Sequence, residues 1–228
     1  YERVCLMRGW EPSPEGKAEW YRKIRRAYGS RVEAMREELD AIAREGEGVL
    51  LPLAWIEACS TDRYQLRRWS PPPRHAQLGE FVHWPERTRK AEMLMWLEEQ
   101  VRPVPKAYAG QGFTWFLGED FAMRQDRTCL ALGFTDQQLK RHVPLIIEMA
   151  QCPYDQQKQA LFWAVDLVMD LNRFGGGILD ANGNGMALAQ EAAQRYGPER
   201  IVELMPSDAW RRETGPRFRA AFEDGTIL

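Results

Sequence analysis

TWFLGEDFAMRQDRTCLALGF, residues Thr114 to Phe134, decides how the rest of the chain is read. Trp115, Phe116 and Leu117 form an apolar run that ends on Glu119 and Asp120. A polar loop holding Asp126 follows, and a second apolar run returns from Thr128 to Phe134. The pattern predicts a β-hairpin whose first strand ends in acid. A carboxylate at the end of a buried strand is costly to desolvate unless it is hydrogen-bonded or holds a cation, so the hairpin points to a metal site at the edge of a sheet. Alternation along the strand sends Glu119 to the face opposite Asp120. An aspartate before a polar loop is equally a turn cap, and Asp126 taken alone reads as a loop residue.

Towards the C-terminus, RHVPLIIEMA (Arg141 to Ala150) reads as a third strand, and Pro153 opens a helix from about Asp155 to Leu171. Leu161, Phe162, Val165, Val168 and Met169 make an apolar stripe on that helix, which reads as core. In FGGGILDANGNG, Ile178 and Leu179 form a short strand ending at Asp180, before a glycine-rich turn. Asp180 there is also a plausible cap for the turn or for the next helix. Met186 to Tyr196 is a helix stopped by Gly197 and Pro198, Ile201 to Met205 a fifth strand, and Ser207 to Phe222 further helix. The order β-β-β-α-β-α-β predicts an α/β fold with a mixed five-stranded sheet covered on its faces.

Towards the N-terminus the text changes. Pro14 to about Arg44 has Trp20, Ile24, Tyr28, Val32 and Met35 at helical spacing, with a break near Gly29 and Ser30. VLLPLAWIEACS then reads as a short strand, a turn and a short helix. Arg63 to Lys90 carries seven Lys or Arg against two Glu, a local excess of +5, with Trp69, Phe81 and Trp84 interleaved. Arg67, Arg68, Arg74, Arg87, Arg89 and Lys90 are therefore candidate contacts to a nucleic-acid backbone; the plainer reading is a surface linker pinned by its aromatics. A helix from Pro85 to about Gln100 follows, and Pro103, Pro105, Gly110 and Gly112 mark a boundary before the hairpin. The expected divisions are 1–45, mostly helical; 46–111, a linker and basic proline-rich region with a helix; and 112–228, the sheet core.

The net charge of −2 argues neither for nor against a nucleic-acid partner, so only local patches speak to it. Cys5, Cys59, Cys129 and Cys152 show no CxxC pair and no His at zinc spacing, and read as reduced thiols of a cytoplasmic protein. No membrane span, signal peptide or GxxxxGK[ST] loop is present, and the start YERVCLMRGW, without Met, reads as that of an excised piece. His75, His83 and His142 stand in unrelated contexts.

The long helix can return the fourth strand parallel to the first, setting Asp120 beside Asp180 at the carboxyl ends of adjacent strands. Two such carboxylates repel and coexist at neutral pH by sharing a divalent cation. Oxygen-only ligands favour Mg²⁺ or Mn²⁺, and two such ions would support phosphodiester cleavage.

At FLGEDFAMRQDRT, VPLIIEMAQCPYDQQ, GGILDANGNGMALAQEAAQRYG and AAFEDGTI the sequence resembles the large terminase subunits of tailed bacteriophages, specifically the Mu-like group. The resemblance covers nearly the whole chain, and MREELDAIAREGEGVLLPLAWIEA looks like the join between that family's ATPase and nuclease domains. It implies an RNase H-like nuclease domain that cuts concatemeric phage DNA during packaging in the bacterial host cytoplasm. Portal protein, small terminase subunit and double-stranded DNA are the implied partners. By the same resemblance Asp120 and Asp180 are metal ligands and catalytic acids, and Asp126 is an auxiliary acid near the metals. The family carries a further acid in a His-Gly-Asp setting on a later helix; this sequence reaches Leu228 without it, and the third ligand is expected beyond that point. Two other readings stand beside the nuclease: a non-catalytic module that binds DNA or docks on the portal and motor with an incomplete metal shell, and another RNase H-like enzyme such as a resolvase or transposase.

Overall fold

In the computed structural model, which describes residues 1–28, 50–122, 126–183 and 185–228, the chain divides into two units, Tyr1–Glu57 and Ala58–Leu228. The first holds α1 (Glu2–Arg8) and α2 (Pro14–Tyr28). α1 ends on Gly9, whose φ of 66° is the left-handed cap that glycine adopts without a Cβ penalty. α2 opens on Pro14, where a missing N–H is harmless. The readings of Val32, Met35, the break at Gly29 and Ser30, and Gly46 to Val49 lie outside the described residues. Leu50 and Leu51 form no strand; they lead directly into α3 (Leu53–Cys59), which runs into the second unit.

The second unit is built on six strands rather than the five expected. The additional one, β1 (Gln65–Trp69), comes from the stretch read as a linker, and it pairs parallel to β4 (Arg141–Ala150). Trp69 is its anchor: the ring is buried and meets Phe81 edge-on at 5.4 Å, which in turn meets Trp84 at 5.3 Å. The aromatics of the basic stretch thus pin it to the sheet, and the unit begins at Ala58 instead of after Gln111. α4 (Glu86–Trp96) continues through a single π turn, Leu97–Val101, into α5 (Pro103–Ala107).

β2 (Thr114–Asp120), β3 (Arg127–Thr135) and β4 form the antiparallel meander expected of the hairpin and third strand. α6 (Tyr154–Leu171) then carries the chain to β5 (Arg173–Asp180), which lies parallel to β2. β5 is longer than the two-residue strand expected, because Arg173 to Gly177 are also in the ladder. α7 (Gly185–Tyr196), β6 (Ile201–Leu204) and α8 (Asp208–Glu223) complete the order β1-β4-β3-β2-β5-β6. The result is a mixed α/β sheet flanked by helices, as expected, with one strand added at its edge.

Only one face is thickly covered among the described residues. Trp115, Leu130, Leu145, Ile147 and Leu179 are at most 1% exposed on that face, where Leu161, Ala164 and Val165 of α6 and Leu188 and Ala192 of α7 join them in one core. Full burial of each large side chain contributes about 1.5–3 kcal/mol. On the other face Phe116, Ile178 and Val202 are 46%, 47% and 50% exposed. Among the described residues this is the more open face of the sheet. None of the helices described is long and apolar enough to cross a membrane, and the four cysteines form no disulfide.

Candidate functional site

Across β2 and β5, Gly118 pairs with Ile178 and Glu119 with Leu179, so Asp120 and Asp180 come next in the same register. Residues opposite one another in adjacent strands share a face. Both acids therefore stand at the carboxyl ends of neighbouring parallel strands, on the open face, where sites form in such sheets. Partial burial raises the Asp120 carboxyl above its usual range, and the negative charges of Asp180 and then Asp126 add to the effect. Asp126 is exposed, immediately before β3.

Asp180 is held by its surroundings. Its Oδ1 accepts the N–H of Asn182 at 3.0 Å, so the turn-cap reading of this residue is also true. Gly183 follows with φ of 51°, and α7 starts so close to the strand that a Cβ at Gly185 would lie 2.4 Å from the Asp180 carbonyl oxygen. Beneath the pair, on the covered face, Glu119 is 8% exposed and its Oε2 accepts the Asp180 N–H at 3.2 Å. Burial, ahead of the nearby charges of Asp180 and Asp120, pushes the Glu119 carboxyl up to about 8. Its Oε1 has no partner among the described residues. Alternation placed Glu119 correctly on the far face from Asp120; its grip on the Asp180 peptide was not visible without the register.

A second support sits where the chain leaves β2. Thr128 Oγ1 accepts the Ala122 N–H at 2.9 Å and donates to Gln157 Oε1 at 2.6 Å, while Gln157 Nε2 donates to the carbonyls of Ala122 at 3.0 Å and Cys152 at 2.7 Å. Both side chains are buried. This clamp from α6 fixes the backbone two residues past Asp120. In the sequence Gln157 was one more polar position on an amphipathic helix, with nothing to set it apart.

The row containing Asp120 continues across the sheet. Asp120 pairs with Cys129, Cys129 with Glu148, and Glu148 with Arg68, so all four side chains share the open face. Arg68 and Arg127 converge on Glu148 Oε2 at 2.8 and 2.6 Å and hold its carboxyl below the usual range. Two guanidinium groups against one carboxylate leave a net positive charge in line with the acids. Of the other basic candidates, Arg74, Arg87 and Lys90 are exposed, and Lys90 pairs with Glu86 at 2.5 Å. Arg67, opposite Ile147, points to the covered face. Arg89 is committed internally: it donates to the carbonyl of Trp84 at 2.6 Å and to Gln156 Oε1 at 3.3 Å.

The donor chemistry at the acids suits a hard divalent cation, since Asp120 and Asp180 offer only oxygen. Among the described residues no group of three or more His, Cys, Asp or Glu side chains is placed to hold a metal. Asp120 and Asp180 are the two residues that could hold one, as part of a coordination shell.

Comparison with known proteins places these observations in context. No family model matches the chain. It is 28% identical over 227 residues to the Mu-like prophage FluMu protein gp28 of Haemophilus influenzae, and 30% identical over 227 residues to the probable terminase large subunit gp28 of Escherichia phage Mu. Both alignments take in 100% of this chain but only 42% and 40% of the relatives, so the chain spans about two fifths of their length. Crystal structures of the large terminase nuclease from thermophilic phage G20c, with magnesium and with cobalt bound, align with TM-scores of 0.39 and 0.40 at 18% and 17% identity. They cover 50% and 52% of this chain and 57% and 58% of theirs.

Proposed function

From homology along the whole chain to the Mu-like phage large terminase subunits, we propose that this segment is their nuclease part: a divalent-metal-dependent endodeoxyribonuclease that cuts concatemeric viral DNA during packaging. The observation that carries the reading is the convergence of Asp120 and Asp180 on one face at the ends of adjacent parallel strands. Asp120 and Asp180, with Asp126 as an auxiliary, would hold Mg²⁺ or Mn²⁺, which would supply Lewis-acid activation of water and stabilisation of the leaving oxygen.

The chain's own residues do the rest. Glu119 and the Thr128–Gln157 clamp fix the two strand ends, so the carboxylates are positioned before substrate arrives. Arg68 and Arg127, in line with them, contact the phosphates of double-stranded DNA and set its path over the open face. The exposed Arg74, Arg87 and Lys90 extend the same attraction at longer range. Portal protein and the small terminase subunit are the proposed partners, in the host cytoplasm.

Purified chain is expected to nick supercoiled plasmid with Mn²⁺, and Asp180→Asn to abolish the nicking; equal activity in that variant sinks the proposal. The count of two clustered acids favours one other reading, a module that binds DNA without cutting it. That reading predicts salt-sensitive binding and no cleavage at any metal concentration.

A further inference from the structure

At the end of the sheet away from the acids, a cavity of about 450 Å³ opens between the start of β2, the β3–β4 turn and the segment before β1. Seven residue steps separate Phe113, which lines it, from Asp120, about 23 Å at the usual rise, so the two places share no reacting atoms. Its floor is a column of rings. Phe113 stacks on Phe134 at 4.3 Å with 7° between planes, and Phe134 stacks on His142 at 5.0 Å and 20°. Phe134 is buried, whereas Phe113, the end ring of the column, is partly exposed and lines the cavity with Tyr108.

A hydrogen-bond chain fixes one wall. His142 Nε2 donates to Asp136 Oδ2 at 2.8 Å, and the Tyr64 hydroxyl donates to His142 Nδ1. Asp136 is itself anchored, its Oδ1 accepting the N–H groups of Gln138 and Lys140 at 2.9 Å each. Neither Tyr64 nor His142 can therefore turn away without breaking the chain. The mouth carries the exposed side chains of Arg63, Gln111 and Gln138. A terminal aromatic ring accepts one more planar group by stacking, amide side chains pair with donor and acceptor edges of a base, and a guanidinium pairs with phosphate.

We propose that this cavity binds a nucleotide, its base stacked on Phe113 beside Tyr108, its edge read by Gln111 or Gln138, and its phosphate paired with Arg63. The ligand is either a free nucleotide or an unpaired nucleotide of a DNA strand, which share that chemistry. The site stands apart from the acid pair and does not depend on metal or cleavage.

The test is a ¹H–¹⁵N NMR titration of the labelled chain, without metal, using 2′-deoxyadenosine 5′-monophosphate, deoxyadenosine and a 5′-phosphorylated single-stranded oligonucleotide. The monophosphate is expected to shift resonances of the cavity residues and to bind about tenfold more tightly than the nucleoside. Arg63→Ala should erase that difference, and Phe113→Leu should weaken every probe about tenfold. Because Phe113 also packs against Phe134, Arg63→Ala and Gln138→Ala, at exposed positions, keep the test valid if Phe113→Leu misfolds. Binding of the oligonucleotide but not the monophosphate identifies a strand as the source and supports the site. No shift at the cavity with any probe, or affinities unchanged in both exposed-site variants, overturns it.

Discussion

Oε2 of Glu119 accepts the backbone N–H of Asp180 at 3.2 Å, so the buried acid of β2 holds the peptide that carries the exposed acid of β5. The contact ties two strands together directly beneath the site and makes its geometry sensitive to pH.

The Glu119 carboxyl, raised to about 8 in the fold from an ordinary 4.5, binds its proton more tightly when folded than when unfolded. Its contribution is therefore full below about pH 4.5 and is lost as pH rises through 8. Glu119→Gln keeps an acceptor for Asp180 and removes the ionisation. Urea unfolding should find the variant close to the parent near pH 4.5 and more stable above pH 8, by a few kcal/mol. A difference independent of pH would contradict the assignment.

Two glycines beside the acids should respond in opposite ways. A Cβ at Gly185 would meet the Asp180 carbonyl oxygen at 2.4 Å, so Gly185→Ala must push α7 from β5, lowering stability by about 1–3 kcal/mol and disturbing the site. A Cβ at Gly118 meets nothing within 4 Å, so Gly118→Ala should melt like the parent. Thermal melts of the two variants settle the contrast.

Removing the hydroxyl of the Thr128 clamp leaves the buried Gln157 Oε1 and the Ala122 N–H without their partner. Thr128→Val should cost about 1–3 kcal/mol. Hydrogen exchange at Ala122 should quicken more than exchange in the β4 core, since the clamp acts at the strand end.

Arg127→Ala removes one of two guanidinium groups from Glu148 at an exposed position. DNA affinity should fall uniformly across sequences, and the slope of log affinity against log salt should shrink by about 1. Fluorescence anisotropy at several salt concentrations reads both; an unchanged slope removes Arg127 from the DNA path.

The meander, the crossover helix and both acids were legible because apolar alternation, a helical stripe and a strand-ending aspartate are local patterns. β1 was not: Arg67 and Arg68 inside QLRRW and the prolines Pro71 to Pro73 look like surface, and the segment becomes a strand only by pairing with β4, about 80 residues on. The glycines of β5 carry no strand signal of their own for the same reason, since their place in the ladder comes from β2 and β6. Arg127 and Glu148 lie far apart in sequence from Arg68, and only register brings the three together on the face of Asp120.

The proposed function requires Asp120 and Asp180 to hold a divalent cation between them. Calorimetric titration of Mn²⁺ into the chain, Asp120→Asn and Asp180→Asn measures this directly. Binding by the parent that weakens at least about tenfold in each variant, with melting temperatures preserved, is the predicted result. A parent that binds no Mn²⁺, or a variant that binds it as tightly as the parent, would contradict the account.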